Sequence, residues 1–151
     1  MNTLLESAPP RAAAGDCPIS LPRDLRRDAQ RMGWAAFTAH YGDTRTLRLG
    51  SWDASVARSD HFDYRATIGL GARIVSMQAS ALGPLAAATA MLHDLGASTE
   101  IIRVFQTRLD GQTVALVEAE RDRRRHWGMG IDADPHRAGV AALVAATDKL
   151  L

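Results

Sequence analysis

The sequence predicts an α+β fold of two pseudo-symmetric βββα modules, with antiparallel sheets and covering helices, preceded by an N-terminal helix. Two observations predict it. Sliding the 151-residue sequence against itself by 51 positions lays residues 81–92 on 132–143, so that Pro84/Pro135, Ala87/Ala138, Ala90/Ala141 and Leu92/Leu143 coincide. Proline supplies a fixed φ and lacks the N–H that a first helical turn leaves unpaired, so both copies read as strand, tight turn and proline-initiated helix. Alternation is the second observation: Phe62, Tyr64, Ala66, Ile68 and Leu70 fall on one face of a strand and Asp63, Arg65 and Thr67 on the other. A sheet with one buried and one wet side requires that pattern.

Residues 1–20 carry Ala, Gly and Pro without hydrophobic periodicity and read as a flexible leader. Over 21–45, Pro22 begins a helix in which Leu25, Ala29, Met32 and Ala36 recur at helical spacing to about 39, and Tyr41-Gly42-Asp43-Thr44 is turn chemistry. Strand-like runs follow at 46–56, 62–70 and 72–79, with Gly69-Leu70-Gly71 as the hairpin connection, and then a helix from Pro84 to about Leu95 that stops at Gly96. The second half repeats this order: a strand over 99–109, Asp110-Gly111 as a strong hairpin signal, a strand over 112–120, a strand around Trp127 and a last helix over about 135–150. The modules are thus expected at 46–97 and 98–151. Asp134 is expected to cap the last helix, and Gly128 and Gly130 to allow close strand-to-helix packing. Trp52 and Trp127, taken as comparable strand positions, are expected to anchor the core.

Composition narrows the function classes. A hydrophobic content of 46% allows a packed core, while a net charge of +1 and a pI near 8.0 give no electrostatic argument for nucleic acid. The basic run 121–125 is interrupted by Asp122 and reads as a solvated turn. No transmembrane span and no secretory signal are evident, and the lone Cys17 fits a reducing compartment, so a cytoplasmic location is expected. His40, His61, His93, His126 and His136 lack ligand spacing, so neither metal nor cofactor is expected. No catalytic motif is recognisable, and catalytic residues stay unassigned.

Three motifs carry a resemblance: Gly83-Pro84-Leu85-Ala86-Ala87 at the first proline-initiated helix, Ala115-Leu116-Val117-Glu118 in the fifth strand, and Trp127-Gly128-Met129-Gly130-Ile131-Asp132 before the last helix. From about Leu47 onward the chain resembles the LeuA allosteric (dimerisation) domain, the C-terminal regulatory domain of alpha-isopropylmalate synthase. The resemblance implies two βββα modules, a homodimer, and an amino-acid end product bound near the module interface. Two departures stand out. The family's Gly-x-Gly-Pro is here Ala81-Leu82-Gly83-Pro84, and Arg103-Val104, followed by Phe105, replaces an Asp-Tyr pair. Arg103 in place of a carboxylate would repel an ammonium group. The synthase's TIM barrel needs about 250 residues, more than this sequence holds.

These readings converge on a stand-alone homodimeric regulatory domain that binds a small molecule, amino-acid-like or a keto acid, and acts on a separately encoded synthase. The expected ligand-binding residues are Ala81, Leu82, Gly83, Pro84, Leu85 and Ala86 at the helix start, where backbone N–H groups suit an anion, with Ile101, Arg103 and Phe105 from the fourth strand. A larger residue at Gly83 is expected to crowd that start. The alternative is a small enzyme that acts on a biosynthetic intermediate in an inter-module or inter-subunit cleft, using polar residues such as Asp63, Tyr64 and Arg103.

Overall fold

The computed structural model describes residues 17–57 and 60–151. Most of the expected leader lies outside the described residues. The chain divides into two compact units, the first ending at His40 and the second running Tyr41–Leu151.

In the first unit the single helix expected over 22–39 is two, α1 (Arg23–Met32) and α2 (Trp34–Gly42), the latter running into the second unit. The break is Gly33, whose φ of 82° lies in the left-handed region that glycine occupies without steric cost. Its N–H still closes onto the Ala29 carbonyl, and its own carbonyl accepts the Phe37 N–H, so the chain bends with few backbone groups lost. Tyr41 and Gly42, read as turn residues, belong to the last turn of α2, and the turn begins at Asp43.

The second unit holds β1 (Leu47–Val56), β2 (Phe62–Leu70), β3 (Arg73–Ala81), α3 (Pro84–Asp94), β4 (Glu100–Leu109), β5 (Gln112–Arg121), β6 (Arg124–Asp132) and α4 (Pro135–Asp148). It is α+β, with two three-stranded antiparallel sheets ordered β1-β2-β3 and β4-β5-β6. Arg73 and Arg124, Ala81 and Asp132, and Pro84 and Pro135 are each 51 positions apart, so the third strand and the helix start of the two modules coincide residue for residue. The β2–β3 connection is displaced from the expected Gly69-Leu70-Gly71. Leu70 still pairs with Arg73, and the turn is Gly71-Ala72 with Gly71 at φ 61°. At the β4–β5 hairpin, Asp110 (φ 51°) and Gly111 (φ 80°) both take positive φ, as a two-residue turn matched to strand twist demands.

Both first strands carry a bulge, and the two bulges correspond. In β1 the register shifts between Leu49 and Trp52, leaving Gly50 and Ser51 opposite Thr67; in β4 it shifts between Ile101 and Arg103, beside Glu118. Thr67 and Glu118 are again 51 apart. Across the first bulge the Ser51 and Thr67 hydroxyls lie 3.0 Å apart, and across the second Arg103 Nε donates to Glu118 Oε1 at 3.0 Å. The same kink therefore holds a hydroxyl pair in one module and an ion pair in the other.

One core runs through both modules. Leu47, Tyr64, Ala66 and Ile68 from the first sheet join Ala115, Val117 and Ala119 from the second, together with Ala87, Met91 and Leu92 of α3 and Val140, Leu143 and Val144 of α4. α4 packs on β5 and β6 and reaches β1, while α3 packs on β3 and α4. Gly128 and Gly130 are what let α4 lie so close to β6. A Cβ on Gly128 would collide with the Ala142 carbonyl and Ala146 N–H, and one on Gly130 with the Ala138 carbonyl. The tryptophans do not occupy equivalent positions: Trp52 lies in the first strand of its sheet and is half-buried, whereas Trp127 lies in the third strand and is 6% exposed.

Candidate functional site

The start of α3 is built differently from its counterpart. Asp134 caps α4, its carboxylate accepting the His136 N–H at 2.9 Å, and Asp132 in turn accepts the Asp134 N–H. At the matching position of α3 stands Gly83, and no side chain caps the first turn. The positive end of the helix dipole and its unpaired N–H groups are thus left to a ligand or to water. Gly83 has extended backbone (φ −154°), and a Cβ added there would meet nothing within 4 Å. The expected crowding is therefore absent. Leu82 beside it is 66% exposed, Ala86 is exposed and Ala87 is fully buried.

The residues proposed from sequence fall into two groups. Ala81, Leu85 and Ile101 border the common core, and Leu85 also lies against Gly139 of α4, 3.7 Å from the Cβ that residue would carry. Arg103 and Phe105 pair with Glu118 and Leu116, residues that alternate with the core-facing Ala115, Val117 and Ala119. They therefore sit on the opposite face of the second sheet. Arg103 is engaged there: Glu118, 8% exposed, accepts its Nε, and its guanidinium lies 4.8 Å from the centre of the Trp127 ring. The charge that would repel an ammonium group is thus met by a carboxylate and an aromatic face. The trio Asp63, Tyr64 and Arg103 is not brought together. Asp63 and Tyr64 are successive residues of β2 pointing to opposite faces, and Arg103 belongs to the other sheet.

Sequence reasoning missed two polar constellations. Asp148, at the end of α4, accepts the backbone N–H groups of Arg45, Thr46 and Leu47 at 2.9, 2.9 and 2.7 Å, tying the end of the last helix to the start of β1. On the exposed face of the first sheet, Asp63, Arg65, Gln78 and Ser80 line a cleft of about 280 Å³ whose floor is Tyr64 and Ala79. Its only signal in the sequence was the polar half of the alternation. Among the described residues no three His, Cys, Asp or Glu side chains are grouped as metal ligands would be, and no helix is long and apolar enough to cross a membrane.

Comparison with known proteins gives a consistent direction. Over 129 residues the chain is 30% identical to 2-isopropylmalate synthase of Leifsonia xyli subsp. xyli (strain CTCB07), covering 77% of this chain and 22% of that protein. The chain is similar to 2-isopropylmalate synthases. Over 85 residues it is also 31% identical to the synthase of Clavibacter michiganensis subsp. michiganensis (strain NCPPB 382), covering 54% of this chain and 14% of that one. It spans about a fifth of the first synthase's length and 14% of the second's, so the similarity concerns a part of those enzymes. No family model matches the chain.

Proposed function

We propose that this protein is a homodimeric regulatory domain of the kind found at the C-terminus of alpha-isopropylmalate synthase, binding a small amino-acid-like or keto-acid effector at the start of α3. The observation that carries the reading is the duplicated βββα unit with one capped and one uncapped helix start, in a chain similar to 2-isopropylmalate synthase over 77% of its length. An effector carboxylate would accept the N–H groups that Asp134 satisfies at the other joint, and the exposed Leu82 and half-buried Leu85 would flank its apolar part. Binding there would bias a synthase partner between two states through whatever difference in affinity the effector has for them.

Gly83→Asp is the deciding variant. Because the position is open, the new carboxylate caps α3 without a clash and occupies the N–H groups that the effector would use. Isothermal titration with leucine, other branched-chain amino acids and their keto acids is expected to show a binding event in the wild type that Gly83→Asp lacks, with thermal stability kept or raised. Equal binding by both proteins would remove the site. Light scattering is expected to return twice the chain mass, and a monomer would remove the dimer.

A further inference from the structure

We propose that the cleft on the exposed face of the first sheet is a second small-molecule site, selective for the zwitterionic end of a free α-amino acid. The proposal goes beyond the effector site at α3, which lies at the margin of the core, and does not require it.

Two cross-strand pairs line the cleft: Asp63 of β2 with Ser80 of β3, and Arg65 with Gln78. Their rows continue to Ser55 and Asp53 of β1. Successive rows on one face of a sheet are ~7 Å apart, since each residue rises about 3.4 Å and side chains alternate. The Asp63 carboxylate and the Arg65 guanidinium therefore stand one row apart on the central strand. An α-amino acid carries an ammonium and a carboxylate on one carbon, and with a hydrogen bond at each end it spans that separation. In this reading Asp63 accepts from the ammonium, while Arg65 and Gln78 donate to the carboxylate.

The side chains differ in how they are held. Ser80 donates its hydroxyl to Asp63, fixing that carboxylate in the cleft. Arg65 and Gln78 make no side-chain hydrogen bond or ion pair among the described residues. Most other strand arginines of this unit are committed: Arg48 to the Gly71 carbonyl, Arg103 to Glu118, Arg121 to the Ser98 carbonyl, Arg124 to the Leu150 carbonyl and Arg125 to Glu120. Arg65 instead stands in mid-strand, between Asp53 and Gln78, with its five donors unspent. The cleft of about 280 Å³ accepts the amino-acid head and leaves its side chain toward solvent, so selectivity should rest on the two charges and little on the side chain.

The test is an amide and side-chain NMR titration of the full chain with glycine, alanine and leucine, with acetate and methylammonium as single-charge controls. Expected are shifts at Asp63, Arg65, Gln78 and Ser80 that are alike for the three amino acids, weaken with salt and are absent with either single ion. Asp63→Asn and Arg65→Gln should each weaken binding at the cleft at least about fivefold, with Gly83→Asp leaving the shifts at Asp63, Arg65, Gln78 and Ser80 as in the wild type. Both altered residues are exposed, and unchanged melting curves would show that each variant is folded. The proposal falls if no amino acid shifts these residues, if acetate shifts them equally, or if Asp63→Asn and Arg65→Gln bind as wild type. Keto-acid binding lost in Gly83→Asp with no amino-acid shifts at the cleft would sustain the α3 site without the cleft, and amino-acid shifts at the cleft with no binding event removed by Gly83→Asp would sustain the cleft without the α3 site.

Discussion

Gly130 of β6 lies directly beneath Ala138 of α4, so that a Cβ on the glycine would fall on the alanine's carbonyl oxygen, 2.8 Å from Ala142 N and 2.9 Å from Ala141 Cβ. Most of these neighbours are helix backbone and cannot rotate away. Gly130→Ala should therefore force α4 off the sheet and cost about 1–3 kcal/mol, read as a lower urea midpoint at unchanged slope. An unchanged midpoint would show that α4 shifts freely.

Asp148 offers a second test. One carboxylate serves three backbone donors at the start of β1, and charge-assisted bonds of this kind are the stronger ones. Two of the three bonds are exposed, which discounts their worth, so Asp148→Ala should destabilise the fold by about 2 kcal/mol. Hydrogen exchange at Thr46 and Leu47 should accelerate with it, and unchanged exchange would place the loss elsewhere.

Trp127 is 6% exposed and carries the Arg103 guanidinium on its face, beside the nearly buried Glu118. Trp127→Ala should cost about 3–5 kcal/mol. Arg103→Met keeps the packing stem but leaves Glu118 without this partner, so it should cost about 1–3 kcal/mol, and much of that should be recovered in Arg103→Met/Glu118→Gln. Additive losses in the double variant would show that the pair is not coupled.

Alkaline pH isolates Tyr64. Burial raises its phenol above the ordinary 10.0, since the charged form is disfavoured away from water. The unfolded chain then loses this proton first, so this group's contribution to stability should be unaffected below pH 10.0 and fall as pH rises above it. Tyr64→Phe should remove this group's part of that slope, and the titration of tyrosinate absorbance should lose the component that ionises above the ordinary value. A single component at the ordinary value in the wild type would contradict the assignment.

Much of the fold was legible because its determinants are local. Pro84 and Pro135 mark helix starts, Asp110-Gly111 a turn, and Phe62 to Leu70 a half-wet strand, each through backbone geometry or period. The break at Gly33 was harder to read, because a glycine inside a helical pattern is tolerated as often as it ends one, and what decides is a positive φ that periodicity does not encode. The run Val114, Ala115, Leu116, Val117 carries no alternation, and the structure buries both of its faces. At the candidate site the helix start was visible through its motif, but the pairing of Arg103 with Glu118 depends on a strand register shifted by a bulge, which single residues do not announce.

The corresponding bulges have a consequence for how the two halves diverged. A kink that accommodates two hydroxyls at Ser51 and Thr67 also accommodates the opposite charges of Arg103 and Glu118 at the same separation. Backbone shape at that point is thus independent of the chemistry laid across it, which makes it a position where a duplicated unit can acquire new polarity without renegotiating its architecture.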